Sequence, residues 1–369
     1  MKRLLCLLSS MDAGGAEGFL MKLYRALDRS QYQMDFCVNV EEPCLYDAEI
    51  ERLSGRIFRI PPKSASVPLF RKQLAAIVRE NGYDYVLRVT SNAMGFMDLM
   101  IAKRAGAKTC VARSSNSSDG GGAKSRLAHI AGSVLYGRCV DVKLAPSDLA
   151  AKYTFGEKAY QNGEVHILRN ALDLDTYRFD PAQRTAIRAA LGISDNAPVI
   201  GHIGRFSPQK NHSFLLDVFA SIKTRTPDAV LLLVGKGELE AEIRDRAAAL
   251  HVSDSVIFTG VRVDVPALLS AMDVFVFPSL YEGMPNTVIE AQATGLPCVI
   301  ADTVTREADI TGLVRYLPLE KPERWADEAL SALRPERIDT RKAFIDHGYD
   351  IESVVGQFTK LVFEERKNA

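Results

Sequence analysis

The stretch DVFVFPSLYEGMPNTVIEAQATGLPCVIAD, residues 273–302, is predicted to form two strands with a loop and a helix between them. Residues 273–279 and 297–302 are short apolar runs rich in strand-forming residues, which predict buried strands. Pro285 suits the first turn of a helix, and Gly295 suits its C-terminal end. The order strand, helix, strand in so short a span indicates a parallel β-α-β unit, from which doubly wound α/β sheets are built.

The same alternation extends over the whole chain, which has 369 residues and is too long for one ordinary core. The pattern therefore predicts two doubly wound α/β domains. Residues 170–198 are predicted to pass from the first domain to the second and to form the first helix of the second domain. After about residue 322 the chain is predicted to be helical. Further strands are predicted at residues 2–10, 32–40, 56–61, 83–90, 108–115, 141–147, 165–170, 198–206, 229–237 and 255–260.

The composition is that of a globular protein, with 47% hydrophobic and 25% charged residues. No window reaches the roughly 20 apolar residues of a membrane span, and the run Leu4 to Leu8 is too short for a signal peptide. Six cysteines without C-x-x-C indicate free thiols in a reducing compartment, and the histidines show no metal-binding spacing. We expect a cytoplasmic protein, soluble or peripherally bound at the inner face of the cell membrane.

The net charge of zero conceals an asymmetry between the two halves. Residues 1–170 hold 24 Lys and Arg against 17 Asp and Glu, whereas residues 171–369 hold 22 against 29. A basic first half suits an anionic partner, such as a phosphate-bearing acceptor or a membrane surface, and it equally suits a solvated face.

Ligands of open α/β sheets bind beyond the carboxyl ends of the strands, so the loops that follow the strands are the candidate sites. After the first strand, MDAGGAEGF (11–19) carries Gly14, Gly15 and Gly18. Adjacent glycines before a helix let backbone N–H groups approach an anion, and a plain turn is the alternative. The spacing G-G-x-x-G departs from the dinucleotide fingerprint G-x-G-x-x-G, which weakens a nicotinamide interpretation.

The loop GRFSPQKNH (204–212) follows the first strand of the second domain. Its Arg205 and Lys210 can clamp a diphosphate, the arginine through its fork and the lysine as a point charge. In the opening stretch, Glu282 lies in the loop before the helix and Glu290 lies inside the helix, so the two carboxylates do not form an i,i+4 pair. Both can accept hydrogen bonds from sugar or ribose hydroxyls, and solvated surface charge is the alternative for all four residues.

Together these loops resemble the retaining nucleotide-sugar glycosyltransferases of the two-Rossmann GT-B architecture, of the Glu-x7-Glu type that includes glycosyltransferase family 4. The resemblance rests on GGAEG (14–18), GRFSPQKNH (204–212) and PSLYEGMPNTVIEAQATGLPCVIAD (278–302), and it spans essentially the whole chain. Within the family, the chain is most similar to bacterial exopolysaccharide and capsule transferases.

This resemblance implies two Rossmann-like domains that face each other across a cleft. Residues 1–170 would be the acceptor domain, completed by a C-terminal helix at 349–369, and residues 171–348 would be the donor domain. The implied activity is that of a hexosyltransferase, which moves a sugar from a nucleotide diphosphate sugar, UDP-linked by preference, to a glycan or lipid-linked acceptor. No nucleic-acid partner is expected.

The resemblance also implies residue roles. Arg205 and Lys210 would neutralise the donor diphosphate, Glu290 would bind the ribose and Glu282 the donor sugar, so that Arg205, Lys210 and Glu282 are the catalytic candidates. The nucleotide base would lie against residues 259–262. The full donor-binding set is Gly15, Gly204, Arg205, Lys210, Glu282, Gly283, Met284, Pro285, Asn286, Thr287 and Glu290.

The chain departs from the family in VARSSNSS (111–118), where Arg113 and Ser115 stand at positions that relatives fill with histidine. The segment therefore offers no histidine as a general base, and retention does not obviously need one, because the departing phosphate can accept the acceptor's proton. Ser115 and Asn116 are candidate acceptor contacts. Two alternatives stay open: a nucleotide-sugar epimerase of the same fold, which should show more acid and base side chains, and a nucleotide-sugar-binding protein without turnover.

Three further motifs carry competing signals. LDLD (172–175) contains a D-x-D string, but it lies away from the nucleotide loops, so we expect a structural role, metal independence and no cofactor. DGGGAKS (119–125) lacks the glycine that a P-loop requires before its lysine. In AKSRLAHIAGSVLYGR (123–138), Lys124, Arg126 and Arg138 surround an apolar helix, which indicates either a membrane-facing edge or a core helix with solvated ends.

Overall fold

The computed structural model describes residues 1–12, 14–115, 122–334 and 336–364, without the side chains of residues 122–125. The chain divides into two compact units. Unit 1 comprises Met1–Ala171 and Gly348–Ala369, and unit 2 comprises Leu172–His347.

In the described part of unit 1, seven parallel strands form one sheet, and helices follow most of the strands. In chain order the elements are β1 Lys2–Leu7, α1 Gly15–Ala26, β2 Tyr32–Val38, α2 Asp47–Arg52, β3 Ile57–Arg59, α3 Val67–Glu80, β4 Tyr85–Thr90, α4 Phe96–Ala105, β5 Thr109–Ser114, α5 Gly122–Tyr136, β6 Val142–Ala145, α6 Asp148–Phe155, α7 Glu157–Gln161 and β7 Val165–Ile167. The strand order is β3-β2-β1-β4-β5-β6-β7.

Unit 2 repeats this design in its described residues with six parallel strands, in the order β10-β9-β8-β11-β12-β13. Its elements are α8 Pro181–Ala190, β8 Val199–Ile203, α9 His212–Lys223, β9 Val230–Val234, α10 Glu240–Ala249, β10 Val256–Phe258, α11 Val265–Ala271, β11 Val274–Phe277, α12 Asn286–Ala293, β12 Cys298–Ala301, β13 Val314–Leu317, α13 Pro322–Ala332 and α14 Arg341–Asp346. The last helix of the chain, α15 Ile351–Phe363, belongs to unit 1.

The sheet of unit 1 is buried on both faces. Because successive side chains of a strand point to opposite faces, Leu4 and Cys6 of β1 pack with α1 and α15, whereas Leu5 and Leu7 pack with α3 and α4. The apolar face of α15 is covered in this way, and Lys2 Nζ donates a hydrogen bond to the carbonyl oxygen at its C-terminal end at 2.6 Å. None of the helices in the described ranges is both long and apolar enough to cross a membrane.

The predicted fold class, α/β with two Rossmann-like doubly wound domains, is confirmed. Each of the predicted strands is present, although the loops begin earlier than expected; β1, for example, ends at Leu7. The prediction was incomplete in unit 2, because β13 was not foreseen. β13 is a four-residue edge strand whose side chains are mostly half-buried, so it lacks the continuous apolar run that marks the central strands.

Both sheets have one point at which the strand order reverses. In unit 1 it lies between β1 and β4, and in unit 2 it lies between β8 and β11. The loops that follow these strands diverge there and leave a crevice, which is the usual ligand site of doubly wound sheets.

Candidate functional site

The loops after β8 and β11 are joined at the strand-order reversal of unit 2. The backbone N–H of Leu280 donates to the carbonyl oxygen of Gln209 at 2.8 Å, and the side-chain amide of Gln209 donates to the carbonyl oxygen of Tyr281 at 2.8 Å. One residue further along each loop, Lys210 Nζ donates to Glu282 Oε1 at 2.6 Å. Two residues that are 72 positions apart in the chain therefore form one charged pair.

The pair of Lys210 and Glu282 is largely shielded from water, with 17% and 9% of the two side chains exposed. The ammonium group also lies 4.7 Å from the ring centroid of Phe277. Gly204 packs against the stem of the lysine, and a Cβ at position 204 would lie 3.3 Å from its Cε. Poor hydration strengthens a charge-assisted hydrogen bond of this length, so the lysine is held in one place.

Glu282 and Glu290 occupy the two positions expected from the sequence. Glu282 lies in the loop before α12, and Glu290 lies within the helix, which begins at Asn286 directly after Pro285. The residue before the first turn of α12, Pro285, makes no side-chain cap, and the first N–H groups of a helix point out of its start. Met284 belongs to the loop, whereas Asn286, Thr287 and Glu290 belong to α12.

Arg205 is not brought to the same place as Lys210. It is 74% exposed and pairs with Glu238, on the loop after β9, at 3.1 Å. The two cations thus belong to one loop but contact different carboxylates. Lys210, Glu282 and Gly204 form one cluster, whereas Arg205 lies on a hydrated edge where an ion pair contributes little to stability.

Two glycines that the sequence analysis did not single out shape this site. Gly235 has a φ of +139°, and a Cβ there would lie 2.1 Å from the carbonyl oxygen of Gly204. At Gly237 a Cβ would lie 2.2 Å from the carbonyl oxygen of Phe206. Both glycines let the loop after β9 pack directly on the loop of Arg205. The sequence V-G-K-G at the end of a predicted strand could have indicated this close packing.

Two histidines beneath Lys210 were also missed. His202 and His212 are buried, with ring centroids 4.7 Å apart, and Nδ1 of His202 pairs with the carbonyl oxygen of Val276 at 2.9 Å. Burial lowers the pKa of His212 to about 4, with a smaller effect from the charge of Lys210, and it lowers the pKa of His202 well below its usual value. Both imidazoles are therefore neutral at pH 7, and Lys210 is the cation of this cluster.

The segment assigned to the nucleotide base follows β10. Thr259 extends the backbone hydrogen bonding between β10 and β9, because its N–H donates to the carbonyl oxygen of Leu233 at 3.1 Å. Gly260 has a φ of +70° and its carbonyl oxygen accepts a hydrogen bond from the N–H of Gly235 at 2.9 Å. Arg262 is held by Asp264, with Nε donating at 2.7 Å. The loops after β8, β9, β10 and β11 thus share the carboxyl edge of one sheet.

In unit 1, Gly15 is the first residue of α1. The N–H groups of Ala16 and Glu17 donate to the carboxylate of Glu17, which therefore lies at the helix start where an external anion was expected. A Cβ at Gly14 would lie 2.1 Å from this carboxylate. A side chain at position 14 would therefore displace the flexible end of Glu17 from the helix start.

The predicted acceptor residues lie at the end of β5. Ser115 is exposed, and Asn116 lies outside the described residues, as do residues 119–121 and the side chain of Lys124. Arg113 is buried beneath α1, 3.7 Å from the ring centroid of Phe19, and donates a hydrogen bond to Asn170. Burial lowers the pKa of Arg113 to about 9.

The D-x-D string has structural contacts within unit 2. The carboxylate of Asp173 accepts hydrogen bonds from the N–H of Asp175 at 3.0 Å and from the hydroxyl of Thr176 at 2.6 Å, and Asp175 pairs with Arg341. Among the residues that the structure describes, no group of three or more His, Cys, Asp or Glu side chains is arranged to hold a metal ion. Metal independence stays a prediction.

Residues 197–334 match the family described as Glycosyl transferases group 1. The chain is 37% identical over 364 residues to the putative glycosyltransferase EpsF of Bacillus subtilis, which covers 96% of this chain and 94% of that protein. It is 35% identical over 144 residues to the UDP-Gal:alpha-D-GlcNAc-diphosphoundecaprenol alpha-1,3-galactosyltransferase of Escherichia coli. This match covers 38% of this chain and 37% of that protein. It is 30% identical over 178 residues to the Vi polysaccharide biosynthesis protein VipC/TviE of Salmonella typhi. This match covers 46% of this chain and 31% of that protein.

Solved structures share the fold over nearly the whole chain. The Anabaena protein Alr3699/HepE, crystallised in complex with UDP-glucose, superposes with a TM-score of 0.71 over 97% of this chain and 95% of its own, at 19% identity. At that identity the likeness establishes the fold, and it agrees with the GT-B class that the sequence predicted.

Proposed function

Because the chain belongs to the group 1 family of glycosyltransferases, we propose that it is a retaining hexosyltransferase that uses a UDP-sugar and a glycan or lipid-linked acceptor. We place it in the assembly of a bacterial exopolysaccharide or capsule. The observation that carries the proposal is the contact between Lys210 and Glu282 at the strand-order reversal of unit 2, beside the start of α12. This contact of a cation with a carboxylate, close in sequence to a helix N-terminus, supports a donor site at this sheet edge.

The donor proposal follows from the chemistry of these groups. An ammonium group has three N–H donors, so Lys210 can hold Glu282 and a phosphate oxygen at the same time. The carboxylate of Glu282 keeps a second oxygen, Oε2, for hydroxyls of the donor sugar, and Glu290 would bind the ribose. We favour UDP because the E. coli relative is named for UDP-Gal and the Anabaena structure holds UDP-glucose.

In the proposed reaction, the bond between C1 of the sugar and the β-phosphate oxygen breaks while a bond forms from C1 to the acceptor oxygen on the same face. The acceptor's proton passes to the departing phosphate, so no histidine base is needed. Lys210 and the N–H groups at the start of α12 would stabilise the charge that develops on the diphosphate, and the exposed Arg205 would join them by leaving Glu238. We propose that these groups replace a metal ion, in which case UDP release should be unchanged by EDTA.

The proposal assigns the donor to unit 2 and the acceptor to unit 1. In unit 1, α5 exposes an apolar stripe at helical spacing, formed by Leu127, Ile130, Val134 and Leu135. Arg126 and Arg138 are also exposed. An exposed apolar stripe flanked by arginines suits the surface of a membrane with anionic lipids, where a lipid-linked acceptor would reside.

Sedimentation with anionic liposomes tests the membrane contact. Val134→Ser should reduce the bound fraction because it removes an apolar side chain that would enter the interface, and Arg126→Gln should make binding less sensitive to salt. Val263→Ser in unit 2 is the matched control, since both valines are 77% exposed. Absence of sedimentation, or equal sedimentation of both valine variants, would rule out contact through α5.

The activity is tested by a thermal-shift screen across nucleotide sugars, followed by measurement of UDP release with and without acceptor. A donor that binds the native state raises the unfolding temperature. UDP release that depends on an acceptor, with the anomeric configuration kept in the product, supports retaining transfer. Interconversion of the sugar without acceptor would indicate an epimerase, and binding without turnover would indicate a binding protein.

A further inference from the structure

A second group of charged side chains lies in unit 1, at the carboxyl ends of β1 and β4 where the strand order reverses. These strands border a cavity of about 250 Å³. Its lining is mostly polar, and includes Ser9, Glu17, Lys63, Arg88, Thr90 and Ser115. Two of these residues are cations, and none of them takes part in the donor site proposed for unit 2.

The two cations share a single carboxylate. Lys63 Nζ lies 2.7 Å from Asp98 Oδ1, and Arg88 Nε lies 3.1 Å from Asp98 Oδ2. Asp98 is 1% exposed and Arg88 is 12% exposed. Because one carboxylate faces two cations, one positive charge is left in excess beside the cavity.

The guanidinium group of Arg88 also has unused hydrogen-bonding capacity. Its Nε is buried, and the contact with Asp98 is an ion pair without hydrogen-bond geometry. Among the described residues, this Nε has no hydrogen-bond acceptor. Because Arg88 lines the cavity and its guanidinium group carries N–H donors besides Nε, a ligand with anionic oxygens there would be stabilised by charge-assisted hydrogen bonds.

The remaining charge, on Glu17, is partly offset within its own helix. Its carboxylate accepts hydrogen bonds from the N–H groups of Ala16 and Glu17, and the partial positive charge at the start of α1 offsets it. Burial raises the pKa of Glu17. The cavity is therefore cationic at Lys63 and Arg88 and rich in hydrogen-bond acceptors and hydroxyls around Glu17, Ser9 and Ser115.

The cavity is also connected to the apolar stripe of α5 through one short segment. Met94 and Gly95 line the cavity, and α5 packs on the turn that contains them. A Cβ at Gly132 of α5 would lie 2.5 Å from the carbonyl carbon of Ala93, and His129 Nδ1 accepts a hydrogen bond from the N–H of Ala93 at 3.1 Å. The turn thus has the cavity on one side and the helix with the exposed apolar stripe on the other.

We propose that this cavity binds the acceptor through a phosphate group attached to a sugar, with Arg88 and Lys63 holding the phosphate. Glu17 and the surrounding hydroxyls contact sugar hydroxyls, and a lipid attached to the same phosphate continues towards α5. The inference rests on the proposed function and names the chemical class of its acceptor.

Calorimetric titration of the full chain in saturating UDP tests this assignment, because UDP blocks the phosphate site of unit 2. The probes are N-acetylglucosamine 1-phosphate, its uncharged methyl glycoside and inorganic phosphate. We expect the sugar phosphate to bind at least about tenfold more tightly than either of the other two, which corresponds to about 1.4 kcal/mol. Inorganic phosphate that binds as tightly as the sugar phosphate would mark a general anion site and overturn the acceptor assignment.

Variants locate the binding. Arg88→Gln and Lys63→Gln should each weaken binding of the sugar phosphate about tenfold, and Arg88→Lys should restore part of it, because a charged hydrogen bond is lost or kept. Each single change leaves Asp98 with one cation, so the buried carboxylate is not left unpaired. Lys108→Gln, which removes a 75% exposed lysine of unit 1, is the control. Wild-type affinity in Arg88→Gln and Lys63→Gln refutes the inference, whereas a wild-type chain that binds no nucleotide refutes the proposed function instead.

Discussion

The contact between Lys210 and Glu282 gives the most direct quantitative prediction. Lys210→Met keeps the length of the side chain and removes its charge, whereas Glu282→Gln keeps its shape and still offers an oxygen to the ammonium group. Met at position 210 leaves a carboxylate that is 9% exposed without its cation. Gln at position 282 leaves a neutral hydrogen bond in place, so we expect the two changes to differ in cost.

The expected magnitudes follow from the exposure of the two side chains. Leaving a nearly buried carboxylate unpaired costs about 3 kcal/mol, and replacing a charged hydrogen bond by a neutral one costs about 1 kcal/mol. In the double variant the unpaired charge is gone, so its cost should be smaller than the sum of the single costs by about 1.5 kcal/mol. Lys210→Met therefore affects folding as well as turnover, because the lysine is also the partner of a shielded carboxylate.

Urea denaturation of the wild type, both single variants and the double variant measures these free energies of unfolding. The matched control is the cycle of Arg205→Met and Glu238→Gln, a pair in the same unit that is 74% and 50% exposed and should show no measurable coupling. Additive effects at positions 210 and 282, or a greater cost for Glu282→Gln than for Lys210→Met, would refute the reasoning.

Three further outcomes are expected. Glu290→Ala should weaken UDP binding, whereas Glu282→Ala should spare UDP but impair use of the intact donor; equal loss of UDP affinity in both variants contradicts the assigned roles. For His212, the pKa of about 4 in the folded chain lies below the ordinary value near 6.5, so the unfolded chain binds the proton more readily and stability falls as pH drops from about 6.5 to 4. The share of His212 in this loss reaches about 3 kcal/mol. His212→Phe should therefore make this part of the pH profile, measured by urea denaturation, less steep, and His202 supplies the rest because its pKa is also lowered. Gly235→Ala should lower the free energy of unfolding by more than about 2 kcal/mol, because a Cβ there meets a carbonyl oxygen at 2.1 Å, while Gly82→Ala, with a φ of +63° and nothing within 4 Å, should cost about 1 kcal/mol.

Much of the fold could be predicted because local sequence patterns indicate its strands and helices. The central strands are continuous apolar runs, and glycine and proline mark where the helices between them begin and end. The edge strand β13 escaped prediction because its side chains are only half-buried. The positions of Glu282 before α12 and Glu290 within it follow from Pro285, since a helix that starts beside this proline leaves one glutamate outside and one inside.

The partners of the charged residues could not be predicted in the same way. Arg205 and Lys210 looked equivalent in the sequence, yet one pairs with an exposed glutamate and the other with a shielded one. The buried state of His202 and His212 was equally hidden, because only the folded chain packs His202 of β8 against His212, the first residue of α9.

The sequence by itself determined the order of strands, loops and helices, and with it which residues lie at the ends of strands. Periodicity and turn chemistry act over a few residues, so they can be read locally. Only the tertiary structure decided that Lys210 meets Glu282, 72 positions away, because β8 and β11 are neighbours in the sheet although β9 and β10 intervene in the chain. It likewise decided that Lys63 and Arg88 share Asp98, since the exclusion of water that makes such contacts strong arises only when distant segments pack together.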